Sequence, residues 1–313
     1  MLVAISPYHL TTREAPAMAA LLLAQRVLTI VPAPEGPPSS ARSAGARIPA
    51  YASFMSTWAW SIPLWKAGVI TSELHGSNAV QDMHAVSGMV DQDETLAPLR
   101  RFMHSELYED EHAYLSAIAA DVLKGGPDPG INVPVAAGLD RFAARHDLFV
   151  ARAQPTSVVQ VAEARLGEDL GSAALPILLQ ADADRILHAR EVLAGPIDAL
   201  WTAYASIGDP DGSDSLREAA ALYTDAFRAR FDDLAADCAD DQVRMIEGTV
   251  IISAMRLPAD VVLRSSLAAV AGMERAPRRE NPGQLPAHYN PDAGRSFISL
   301  FIKPLGASPA RRR

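Results

Sequence analysis

The sequence predicts an α/β or α+β protein that is predominantly helical. Its strands are expected at the two ends of the chain, with the C-terminal strands rejoining the N-terminal sheet. Three observations predict this. Residues 2–31 read as strand, helix, strand. The stretch from about 100 to 240 is dominated by Ala- and Leu-rich segments of helical length. Near the C-terminus, RSFISLFIK (295–303) alternates as a strand does. The implied organisation is an α/β part over 1–100, a helical part over 101–240, and a strand–helix–strand part with a basic tail over 241–313.

LVAIS (2–6) is the first strand and PYHL (7–10) the loop after it. Thr11-Thr12-Arg13-Glu14 has the form of a capping box, so a helix is expected from Thr11 to about Gln25. RVLTIV (26–31) is the second strand, closed by Pro32. Residues 33–49 are rich in Pro, Gly, Ser and Ala without periodicity, which predicts a mobile loop. Tyr51, Phe54 and Trp58 are spaced for a short helix limited by Pro63, and 63–70 turns into a short strand.

Residues 72–100 give a mixed signal. A long helix is expected from about Leu96 to Lys124, stopped by GGPDPG (125–130). Helices follow at 134–147, 156–168 and 177–206, the last breaking near Gly195-Pro196. DPDGSD (209–214) is a turn, and another helix runs from about 215 to 239. Residues 243–257 are β-branched with partial alternation, a strand or hairpin; 258–272 is a helix with Pro258 in its first turn.

Composition bounds the function classes. No apolar run in the 313 residues reaches the roughly 18 that a membrane helix needs. Met1 leads straight into a strand, so no signal peptide is expected. Cys238 is the only cysteine, which excludes an intrachain disulfide and a thiolate zinc site. A cytoplasmic protein is the resulting expectation. The net charge of −9 argues against nucleic-acid binding. From Glu274 onward, however, eight basic residues face three acidic ones, leaving +5 there and −14 elsewhere. That basic tail is the one segment suited to an acidic partner or RNA.

Two clusters are candidates for chemistry. Tyr8, His9, Thr12 and Arg13 stand where a strand's C-terminal end meets a helix, the place where open α/β sheets bind ligands. An anion would suit Arg13, with His9 for proton transfer and Tyr8 and Thr12 as hydrogen-bond donors. No glycine-rich phosphate loop accompanies them. The second cluster starts from Glu109-x-x-His112, a pair that converges on one ion in di-iron helical bundles. Asp184 and His188, one turn apart, could complete a metal set, although the bundle pattern asks for a second Glu-x-x-His. The tryptophans Trp58, Trp60 and Trp65 read as core packing. Cys238 lies among acids that disfavour a thiolate.

The function expected first is a partner-binding or scaffold protein, meeting another protein or a second copy of itself through its helical surface. The alternatives are an enzyme acting on a small anionic substrate at residues 7–14, and a helical metalloprotein. No cofactor is named by the residues.

Overall fold

The computed structural model describes residues 1–13, 15–34, 53, 55–72, 79–102, 111–123, 138–139, 141–143, 146, 148–152, 173–179, 181–206, 211–236, 247–252, 257–258, 267 and 296–303. Helices and one sheet are mixed, and helix predominates.

The sheet is built on four parallel strands, β1 (Leu2–Ile5), β2 (Arg26–Thr29), β3 (Ile70–Ser72) and β4 (Phe149–Arg152). Their spatial order is β3-β2-β1-β4, with Leu2 beside Arg26, Val27 beside Ile70 and Val3 beside Phe149. Beyond β4 lie β8 (Ser296–Lys303), β6 (Glu247–Ile252) and β5 (Ala173–Leu178). β8 is parallel to β4, and β6 is antiparallel to both of its neighbours. The two-residue β7 (Leu257–Pro258) pairs with the start of β8.

One helix organises the core. The chain leaves β1 through α1 (Pro7–Thr12), turns at Arg13, and enters α2 (Ala15–Leu23). α2 has no polar side chain, and every residue from Ala17 to Ala24 is at most 1% exposed. A helix that is apolar all round must be covered on all sides. The sheet covers one side, through β1, β2, β4, β5 and β8, and α6 (Ala183–Val192) contacts the helix as well. Burying Met18, Leu21, Leu22 and Leu23 contributes about 2 kcal/mol each.

Burial creates a problem at the end of α2, because the last carbonyls of a helix have no partner within it. Two side chains from far along the sequence supply donors. The Arg190 guanidinium donates to Leu21 O (2.8 Å), Leu22 O (3.2 Å), Ala24 O (2.6 Å) and Gln25 O (3.3 Å). Trp201 Nε1 donates to Leu23 O at 2.7 Å. The positive charge also suits the negative end of the helix dipole. Desolvation pulls the Arg190 guanidinium below its ordinary pKa.

Arg190 lies on α6, and Trp201 on α7 (Ala194–Ala205). The two helices meet at Leu193, close to the expected break at Gly195-Pro196. Asp182 starts α6 by accepting a hydrogen bond from Arg185 N at 2.9 Å. The long helix α8 (Gly212–Ala236) packs on α7 and on β5. Pro176 sits within β5, which among the described strands pairs with β6 alone, and terminal strands tolerate proline. Its carbonyl accepts a bond from the fully buried Tyr223 hydroxyl at 2.9 Å.

The remaining named elements are a 3-10 turn at Ala59–Ser61, α3 (Ile62–Lys66), α4 (Ala79–Gln92), a 3-10 run over Glu94–Phe102, and α5 (Glu111–Leu123). Gly138 packs against Met83 of α4 so closely that a Cβ would sit 2.6 Å from Met83 Cγ. Beside it, Arg141 Nε lies 3.4 Å from the buried Asp82 carboxylate.

Several local expectations need correcting. The helix begins at Pro7, not Thr11. Pro7 suits a first helical position, and Thr11 Oγ1 donates back to Pro7 O at 3.1 Å, so Thr11 is a helix-interior residue and not a cap. No continuous helix runs from Leu96, since Pro98 lies in a 3-10 stretch. The helix α4 occupies part of the segment that gave a mixed signal. AALPIL (173–178) is a strand where the expected helix at 177–206 would have begun. β4 and β5 thus come from the stretch read as helical. The loop at 33–49, apart from residues 33 and 34, lies outside the described residues, as do the helix at 156–168 and the GGPDPG turn.

Two predictions follow from this packing. Arg190→Met is expected to cost about 3 kcal/mol, because it strips donors from several buried carbonyls, and Trp201→Phe about 1–2 kcal/mol. Urea unfolding measures both, and a loss under 1 kcal/mol for Arg190→Met would contradict the capping role. The second prediction concerns pH. Burial pushes the Tyr223 and Tyr204 hydroxyls above their ordinary pKa near 10. The folded state therefore keeps these protons where the unfolded chain loses them. This contribution is complete below about pH 10 and falls as pH rises beyond it. Tyr223→Phe is expected to flatten the alkaline decline by up to about 1.4 kcal/mol per pH unit. Parallel stability curves for the two proteins between pH 8 and 11 would rule this out.

Candidate functional site

The strand order changes direction at β1. The chain steps from β1 to β2 and β3 on one flank, then returns to place β4 on the other. In open α/β sheets the crevice outside the carboxyl ends of such a strand pair is the usual ligand position. The register Ala4↔Val150 continues to the positions of Ser6 and Arg152, so these residues flank the exits of β1 and β4. Ser6 is buried.

Four predicted residues follow directly. Tyr8, His9 and Thr12 fall on α1, whose first residue is Pro7; their backbone positions are described. Arg13 comes next. α1 spans only about 9 Å and α2 about 14 Å at 1.5 Å per residue. α2 must reach Arg26, which pairs with Leu2 at the other edge of the sheet. Arg13 therefore stays near the carboxyl edge.

Arg13 has a φ of 51° and is the only described non-glycine residue with positive φ. Such a backbone is sterically unfavourable for a residue with a Cβ, by about 1 kcal/mol. Its exposed guanidinium lies over the Trp60 indole, 4.5 Å from the ring centroid. Among the described residues no carboxylate pairs with it. Trp60 is fixed in turn: it belongs to a 3-10 turn (Ala59–Ser61), and its Nε1 donates to Leu10 O at 3.3 Å. Leu10, Arg13 and Trp60 thus form one local unit although some 50 positions separate them.

Trp60 was not legible as part of this site. Core packing was expected for all three tryptophans, and it holds: Trp58 is fully buried and meets Trp65 edge to face at 5.8 Å, while Trp60 and Trp65 are partly buried against the same core. Trp65 Nε1 donates to Ser61 Oγ at 3.2 Å. No local pattern in the sequence singles out Trp60 from the other two. Thr29, the last residue of β2, was also missed. Its buried hydroxyl has no hydrogen-bond partner among the described residues, and the residue is in register with Ile5 and Ser72.

The metal candidates are arranged differently. Asp184 and His188 are exposed on α6 and line one open groove of about 310 Å³ with Asp182, Arg185, Asp233 and Leu234. Arg185 lies 3.8 Å from Asp182, and Arg190 is occupied at the end of α2. Glu109 lies outside the described residues, and only the backbone of His112, on α5, is described. Among the described residues no three His, Cys, Asp or Glu side chains gather as metal ligands. Cys238 also lies outside the described residues. Among the described helices none is long and apolar enough to cross a membrane.

The exposed backbone strain at Arg13 carries a testable consequence. Arg13→Gly relieves the positive φ, by about 1 kcal/mol, and gives up a cation–π contact of about 0.5–1 kcal/mol. The two nearly cancel, so the melting temperature should move by no more than a few degrees. A loss above about 2 kcal/mol would make Arg13 a structural residue.

No family model matches the chain, and no curated protein or solved structure shows significant similarity to it.

Proposed function

We propose that the protein is an enzyme acting on a small anionic substrate at the carboxyl edge of its parallel sheet, between the exits of β1 and β4. The observation that carries this reading is the reversal of strand order at β1. The Arg13 guanidinium, exposed and without a described carboxylate partner, supports an anionic ligand. In this reading Arg13 contacts the anion, His9 is the general acid or base, and Tyr8 and Thr12 donate hydrogen bonds. Location in the cytoplasm accords with the chain's single cysteine.

The scaffold reading draws on the helical surface. Among the described residues the large apolar side chains at the surface are Leu2 and Leu222, and Leu222 is flanked on α8 by the exposed residues Arg217, Glu218, Asp225 and Arg228. That is the composition of a solvated face, so the carboxyl-edge reading is the better supported of the two. The metalloprotein reading has Asp184 and His188 in one groove with Asp182 and Asp233, but no three side chains among the described residues are gathered as ligands.

Native mass spectrometry of gently purified protein reports co-purified small molecules, and calorimetric titration with inorganic phosphate and small carboxylates reports affinity. The expected result is saturable binding of at least one anion. Binding should be abolished in His9→Ala and Arg13→Gly, with melting temperatures close to that of the parent protein. Absence of binding, or binding unchanged in both variants, would refute the site.

A further inference from the structure

We infer that Trp60 is a positioning residue: it holds the Arg13 guanidinium at the carboxyl edge as a preformed fork for an oxyanion. This rests on the anion-site reading above and adds to it both a residue and a mode of recognition. Three features of the structure converge on it. The φ of 51° at Arg13 is a conformation that glycine adopts without penalty, yet an arginine stands there. The guanidinium lies 4.5 Å from the Trp60 ring centroid. The indole cannot drift, because its Nε1–H is bonded to Leu10 O, near the end of the same short helix that leads to Arg13.

The chemistry follows from this arrangement. A cation–π contact draws on the guanidinium's charge. Among the described residues no acceptor takes an N–H group of Arg13 in a hydrogen bond. The planar fork is therefore held in place with its donors available, which is the condition for two parallel N–H···O bonds to a phosphate or carboxylate. Holding the side chain beforehand removes part of the entropy loss on binding. A lysine would keep the charge but lose both the fork and its fit to a carboxylate or phosphate.

The experiment is calorimetric titration of inorganic phosphate, and separately of succinate, into the parent protein and the Trp60→Phe, Trp60→Met, Arg13→Lys and Arg13→Gly variants. Trp60→Phe keeps an aromatic face but loses the Nε1–H bond to Leu10 O, and its affinity is expected to fall between those of the parent and Trp60→Met. Trp60→Met keeps apolar bulk without the ring quadrupole and is expected to weaken binding about five- to thirtyfold. Arg13→Lys should weaken it about tenfold or more despite the retained charge. Should Trp60→Met unfold, Arg13→Lys tests the fork without disturbing the indole. The phosphate and succinate arms tell which oxyanion the fork serves. If the parent protein binds neither anion, the site itself is refuted. If Arg13→Gly loses binding while Trp60→Met and Arg13→Lys keep it, the site stands and the positioning role is overturned.

Discussion

The fold depends on how one buried helix end is satisfied. α2 is nine residues long, wholly apolar, and enclosed between the sheet and α6. Enclosure removes the water that would otherwise bond its last carbonyls, and each carbonyl left bare costs about 1–3 kcal/mol. Arg190 and Trp201 remove that penalty by donating to Leu21, Leu22, Leu23, Ala24 and Gln25. The solution brings its own cost, since a guanidinium must be partly desolvated, and the lowered pKa of Arg190 records this. The balance is favourable because a charge with several acceptors at the negative end of a helix is well compensated. It also ties the layers together: residues 190 and 201 can reach α2 only if α6 and α7 lie against it.

That constraint positions the candidate site. With the far end of α2 fixed near Arg26, at the start of β2, its near end is fixed at the carboxyl edge, and Arg13 with it. The turn between α1 and α2 has little freedom. α1 leaves β1 after Ser6 and ends six residues on, and α2 must at once point back along the sheet. A positive φ makes so sharp a change of direction possible in one residue. The stacking of Trp60 on Arg13 and the bond from its Nε1 to Leu10 brace that turn from outside.

Much of this was legible in the sequence, and the limits have physical causes. The first strand, the buried APAMAALLLA segment and the second strand follow from hydrophobic runs of the right length, and the alternating 295–303 segment does form β8. The Thr11 cap was misread because the same Thr hydroxyl that can cap a helix can also bond a carbonyl four residues back within one. The strand AALPIL was missed because a short buried apolar run carries no period that separates strand from helix. Neither Arg190 nor Trp201 could be recognised as a cap for α2, since the partners lie about 170 residues apart and capping rules read only neighbours. For the candidate site, the sequence located residues 7–13 but not Trp60, for the same reason of distance.

The choice of residue at position 13 is the sharpest local conflict in the described structure, and it bears on what the edge of the sheet is for. A turn that requires a positive φ is ordinarily made by glycine, and nothing in the packing around Arg13 demands a long side chain, since it is exposed. The cation–π contact with Trp60 only offsets the backbone strain, so stability alone gives no preference for arginine over glycine. The strain is also placed at the strand pair where the sheet changes direction, and not in a peripheral loop. Under the proposed function, an anion met by the side chain accounts for an arginine standing where a simpler residue would serve. At the carboxyl edge of a parallel sheet, an exposed cation braced by an indole is suited to meeting an anion.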